Sequence, residues 1–168
     1  MSYFRKYEYR MIPDSSFTVV RNCPGCGNKS HYINTKRFRV NANGNKLDIW
    51  LIYQCGKCRH TLNLSVYERR NAKGIPQEEY RRFLDNDEIL AEEYGRNFSF
   101  FQRNHAEIES DAISFHFTDV SGECRKNEET IHYQQGDLIV IENPYGLKIR
   151  PEKQAAEALG ASRSQIKR

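Results

Sequence analysis

Four cysteines, at positions 23, 26, 55 and 58, constrain this chain more than any other feature. They form two Cys-x-x-Cys pairs separated by 28 residues. A two-residue gap lets one tight turn aim both sulfurs at a single point, and two such turns complete a tetrahedral thiolate shell. Zinc suits four soft anionic ligands and needs no redox partner, so Cys23, Cys26, Cys55 and Cys58 are expected to hold one structural zinc ion. An iron centre of the rubredoxin kind would use the same ligands, and spacing alone does not separate the two. A thioredoxin-like role would need one pair followed by a helix. Four protein ligands leave no open coordination position, which makes the metal's expected role architectural. The glycines of CPGCG and CGKC fall where backbone amides must turn toward the sulfurs, and Lys29, Lys57 and Arg59 are placed to offset the negative charge of the cluster. His31 and His60 flank the pairs and read as surface or strand residues, because the thiolates already fill the shell. Cys124, inside the charged stretch ECRKNEET, reads as an incidental thiol.

Paired thiols of this kind are more often a metal site than a disulfide frame in a reducing compartment. No run of about 18 apolar residues is present, and the N-terminus MSYFRKYEYR lacks the apolar stretch of a signal peptide. A cytoplasmic protein that engages no membrane is expected.

Charge is distributed unevenly along the chain. Residues 1–70 carry a net +9, residues 71–150 a net −7, and residues 151–168 a net +2. The first segment would attract a polyanion and the middle one would repel it.

Period-two patterns over SFTVVRN, HYINTKRFRVN, KLDIWLIYQ and HTLNLSVYER predict four strands around the cysteine pairs, with Asn43-Gly44 supplying a hairpin turn. Trp50, in DIWLIY, is expected in the core. Residues 75–104 read as short helices. The first begins at Pro76, has Tyr80, Phe83 and Leu84 on one side, and sets Glu78 against Arg82. The second is capped by Asn86 or Asp87 and ends at Gly95 as a C′ residue. AISFHFTDV alternates, placing His116 opposite the core, and GDLIVIENP has the continuous apolar centre of a buried strand. A last helix is expected from Pro151 to Leu159, broken at Gly160, with another starting after Ser162. The fold class is therefore α+β: a zinc-ribbon sheet over 1–70, a helical segment over 71–111, a second small β region over 112–150, and helices over 151–168.

No nucleophile beside a base, phosphate loop or apolar pair of carboxylates stands at a recognisable spacing; His105, His116 and His132 are scattered. No small-molecule substrate is evident, and a non-catalytic role is expected. Lys36, Arg37 and Arg39 lie on one predicted strand near aromatic residues, an arrangement that can pair with phosphates and stack on bases.

The C-terminal LKIRPEKQAAEALGASRSQIKR resembles the opening of the S-four RNA-binding domain, through Arg150, Leu159, Ser162-Arg163-Ser164 and Ile166. That resemblance implies RNA contacts from Arg163, Lys167 and Arg168, although the remainder of the module does not follow. The order CPGCG, RFRVNANGNKLDIWLIYQCGKC, TLNLSVYER, IPQEEYRRFLDND and SRSQIKR resembles the bacterial family catalogued as domain of unknown function 1062. This resemblance spans most of residues 16–168 and implies a zinc ribbon with an RNA-binding-like tail. The expected function is a non-catalytic RNA-binding protein associated with the ribosome or with translation. The alternatives are a protein-interaction adaptor and a DNA-binding transcriptional regulator.

Overall fold

Alternation along KLDIWLIYQC decides how the larger sheet is built. Leu47, Ile49, Leu51, Tyr53 and Cys55 are all buried, and the residues between them are half-buried on the opposite face. The computed structural model describes residues 5–120 and 132–166. The fold is mixed α+β with two sheets, and the chain divides into two units, Ser15–Ile113 and Met1–Asp14 with Ser114–Arg168.

The unit Ser15–Ile113 contains an antiparallel sheet of β2 (Val19–Asn22), β3 (Lys29–Asn43), β4 (Lys46–Cys55) and β5 (Thr61–Asn71), in that spatial order. The Asn43-Gly44 turn joins β3 to β4 as expected, with Gly44 at φ +62°. A bulge between Asn34 and Arg37 interrupts β3, where the Thr35 hydroxyl donates to the Ile52 carbonyl at 2.7 Å and Lys36 takes φ +59°.

Three short helices cover the buried face of this sheet: α1 (Gln77–Leu84), α2 (Glu88–Gly95) and α3 (Phe98–Arg103). The Asp87 side chain caps α2 by accepting from Leu90 N–H. Phe38 meets Phe83 edge-on at 4.9 Å and Tyr94 at 6.2 Å, and Tyr53 meets Phe101 at 5.9 Å. Full burial of side chains such as Phe83 and Phe101 contributes roughly 1.5–3 kcal/mol each.

Three expectations change here. Leu84 does not join Phe83 in the core but is 54% exposed. Arg82 pairs with Asp87 at 2.7 Å, while Glu78 reaches Arg81. Gly95 is glycine because of close packing, since a β-carbon there would collide with Ser16 and the Asn34 amide; its backbone needs no left-handed conformation.

The other unit places β1 (Lys6–Pro13) at the centre of a three-stranded sheet. β1 runs antiparallel to β6 (Phe115–Asp119) and parallel to β7 (Leu138–Glu142). No strand is expected over residues 6–13 from the sequence. The apolar run of β7 forms an edge strand, half-buried at its centre and exposed at both ends, so it is not the buried strand that its composition suggests. His116 is on an exposed position of β6 and bonds Asp14 at 2.6 Å. The helices α4 (Pro151–Leu159) and α5 (Arg163–Ile166) fall where expected, separated by Gly160 at φ +63°. The stretch ECRKNEET with Cys124 lies outside the described residues. Among the described residues, no helix is long and apolar enough to cross a membrane.

Candidate metal centre

Each cysteine pair begins where a strand stops. Cys23 directly follows β2, and Cys55 is the last residue of β4. The two turns share one backbone pattern. Gly27 N–H donates to the Cys23 carbonyl at 2.8 Å, and Cys23 N–H to the Asn28 carbonyl at 2.9 Å. Arg59 N–H donates to the Cys55 carbonyl at 3.0 Å, and Cys55 N–H to the His60 carbonyl at 2.8 Å. The residue after the second cysteine is left-handed in both turns: Gly27 at φ +72° and Arg59 at φ +62°. Glycine adopts that conformation freely, whereas arginine does so against steric resistance from its β-carbon.

The turns bring the four Sγ atoms within 4.8 Å of one another. Cys23 and Cys58 sulfurs are 3.4 Å apart, and those of Cys26 and Cys55 are 3.8 Å apart. Zinc–sulfur bonds of about 2.3 Å in a tetrahedron would set sulfurs about 3.8 Å apart, so the cluster fits a metal ion of this size. Gly25 is part of the fit, since a β-carbon there would stand 2.8 Å from Cys58 Sγ.

The surroundings favour the thiolate at Cys23 and Cys55 and oppose it at Cys58. The Tyr32 hydroxyl acts most strongly on Cys23, and with the backbone amides of Cys26 and Gly25 it outweighs desolvation and holds that thiol down at about 6. Tyr32 is buried, and its hydroxyl meets no other hydrogen-bond partner of ordinary geometry among the described residues. The amides of Cys58 and Lys57 lower the Cys55 thiol in the same manner. At Cys58 the amide of His60 favours the thiolate, but the crowding sulfurs of Cys26 and Cys23 prevail and push it up to about 12. Four sulfurs this close compete for negative charge, and a bound cation removes that competition. His60 is exposed and contributes through its backbone, while His31 is exposed with Nε2 3.3 Å from Glu109.

The basic residues of the first segment separate into two groups. Lys36, at the bulge, pairs with Glu92 at 2.8 Å and Glu88 at 3.4 Å, so an incoming phosphate would compete with two carboxylates. Arg37 and Arg39 are exposed and make no ion pair among the described residues. They face outward on β3, opposite Ile52 and Trp50 of β4. Trp50 is therefore not in the core: it is half-buried on the outer face, having the parity of Asp48 and Gln54 rather than that of Cys55. Period two counted from the metal ligand would have found this. Arg163 is exposed at the start of α5, and Lys167 and Arg168 lie outside the described residues. His105 belongs to one unit and His116 and His132 to the other.

No curated protein and no solved structure matches the chain. The family described as Protein of unknown function (DUF1062) matches residues 40–168, a span that contains Cys55 and Cys58 and begins beyond Cys23 and Cys26. Because that match covers well over half of its length, the chain belongs to this family.

Proposed function

We propose that this protein is a non-catalytic RNA-binding factor of the cytoplasm, associated with translation, in which one zinc ion braces a ribbon-like sheet. The observation that carries the reading is the pairing of a closed four-sulfur donor set with a sheet face on which Arg37 and Arg39 stand exposed. An all-thiolate shell favours zinc over harder cations, and the amides and the hydroxyl around the sulfurs favour the deprotonated ligands that zinc requires. A shell filled by the chain leaves the metal no position for substrate, so its part is to fix the strands. Exposed guanidinium groups on a rigid sheet suit phosphate contacts that are made without reorganisation. The likeness of residues 147–168 to the opening of the S-four module adds Arg163, Lys167 and Arg168 as further phosphate contacts.

The test is a titration of labelled RNA with the full-length zinc-loaded protein at two salt concentrations. Two to five phosphate contacts, each contributing about −0.7 to the salt slope, predict a loss of about 7- to 130-fold in affinity between roughly 50 and 200 mM salt. Absence of salt-dependent binding to both hairpin and single-stranded RNA would sink the reading, and a preference for duplex DNA would select a regulator of transcription in its place.

A further inference from the structure

The outer face of the β2–β5 sheet is read most directly in rows across the strands. Residues paired in register point to the same side, so Arg39 of β3, Trp50 of β4 and Ser65 of β5 form one row. Arg37, Ile52 and Asn63 form the next, and Ile33, Gln54 and Thr61 the one beyond. Ile33 is 58% exposed, and Trp50 and Ile52 are half-buried. The acidic group among these paired positions of β3 and β4 is Asp48, whose carboxylate already accepts from Arg69 N–H at 2.7 Å. Flat and apolar surface thus sits at the centre, with two cations that are unpaired among the described residues on one flank.

The opposite flank, β5, presents the polar Thr61, Asn63 and Ser65 to this face. The bulge that displaces β5 after Ser65 opens a cleft of about 330 Å³ lined by Ser65, Glu68, Arg70, Arg103 and Asn104 among others. Asn104 fixes its wall by accepting from Ser65 N–H at 2.6 Å and donating to the Ser65 carbonyl at 3.0 Å. Arg103 lies over the Phe100 ring at 5.8 Å, which holds the guanidinium at the cleft, and both Arg70 and Arg103 are exposed. Arg70 pairs in register with the buried Leu47 and Arg103 belongs to α3, so both lie toward the helix-covered side of the sheet, and the β3 arginines on the tryptophan's face are Arg37 and Arg39.

We infer that this face is a binding track for single-stranded RNA, with an unpaired base stacked on Trp50 and the flanking phosphates held by Arg39 and Arg37. The inference rests on the RNA-binding reading above and narrows it to a strand state and a residue. Single strands are favoured because a base must be splayed from its own helix to lie on an aromatic side chain, and stacking needs no particular sequence. A basic protein partner is disfavoured by the two arginines, and an acidic peptide would leave the half-buried indole without a matching flat group.

Trp50 is the only tryptophan of the chain, so its emission reports the site directly. Fluorescein-labelled oligouridylate of about 12 nucleotides, within the usual site size of such tracks, is titrated with the full-length zinc-loaded protein while anisotropy and tryptophan emission are recorded together. The expected result is a rise in anisotropy with parallel quenching of Trp50. Trp50→Ala is expected to weaken binding about 5- to 150-fold, Trp50→Phe to retain affinity within about 5-fold of the wild type, and a self-complementary RNA duplex to bind more weakly than the single strand. Because Trp50→Phe keeps a ring and the quenching is read on the wild-type chain, the test survives a Trp50→Ala variant that fails to fold. Salt-dependent RNA binding with unquenched emission overturns this inference and leaves the RNA reading standing. So does preference for the duplex. Failure of every RNA to bind removes both.

Discussion

The two sheets are held together by different means. Strands β2 to β5 follow one another in the chain, pair with sequence neighbours, and meet at a four-cysteine cluster beneath a layer of aromatic side chains. The sheet β6-β1-β7 is assembled from distant segments, and ionic side chains reinforce its backbone ladder: Arg5 donates to both carboxylate oxygens of Asp137, at 2.8 and 3.3 Å, and to the His132 carbonyl at 2.9 Å. Arg10 adds a pair with Glu142 at 2.9 Å. Local topology with a cysteine cluster able to take a metal tolerates a small core, whereas long-range pairing must recover a larger loss of chain entropy with buried groups and charge contacts.

The greatest effect expected from this contrast comes at a metal ligand. Elemental analysis should find one zinc per chain in the wild type and none in Cys55→Ser. Since a structural zinc site of this type contributes about 10–16 kcal/mol against a total stability of about 5–15, amide-exchange protection should vanish across β2–β5. Protection in β1 and β6 should persist. Retained protection of the β3 and β4 amides without metal would erase the distinction between the sheets.

A smaller effect separates the two cysteine turns. Gly27→Ala should cost about 1–2 kcal/mol, because an L-residue is forced to φ +72°, whereas Arg59→Gly should gain up to about 1 kcal/mol by relieving the same geometry. Urea unfolding of the zinc-loaded protein measures both. Equal and opposite shifts would show the turns to be equivalent; a loss on Arg59→Gly would mean that the arginine side chain has a stabilising role greater than its backbone cost.

The smallest effect belongs to the ionic sheet and depends on pH. Asp137 is held below the usual carboxylate range chiefly by its hydrogen bonds from Arg5, with Gln134 N–H assisting. Its stabilisation is present above the ordinary carboxylate pKa of roughly 4 and fades as pH falls through the lowered folded value. Amide exchange in β1 should therefore quicken in acid in the wild type, and Asp137→Asn should flatten that dependence with little change in β3. An unchanged acid profile in the variant would assign the loss to other carboxylates.

What was legible in the sequence follows the same division. Cys23, Cys26, Cys55 and Cys58, the Asn43-Gly44 turn and the four strands β2 to β5 are local signals, and each reports itself within a few residues. The Pro151–Leu159 helix and its break at Gly160 were legible for the same reason. β1 was not, because KYEYRMIP alternates weakly and its partners lie far along the chain. Lys36 resembles its neighbours Arg37 and Arg39 in sequence, yet the bulge turns it toward α2 and into contact with Glu88 and Glu92. Tyr32 shows no pattern at all until register sets it opposite Cys55 and beside the sulfurs.

The placement of β1 also sets an order of events during synthesis. The whole of the cysteine sheet's own unit is present once the segment up to residue 113 has emerged, and it can fold while translation continues. β1 is made earlier still, but the carboxylate that pairs with Arg10 is 132 positions downstream. Throughout that interval its open edges remain exposed to other partners, so a ribosome that stalls inside the intervening stretch would release a chain with a finished cysteine sheet and an uncovered, aggregation-prone β1.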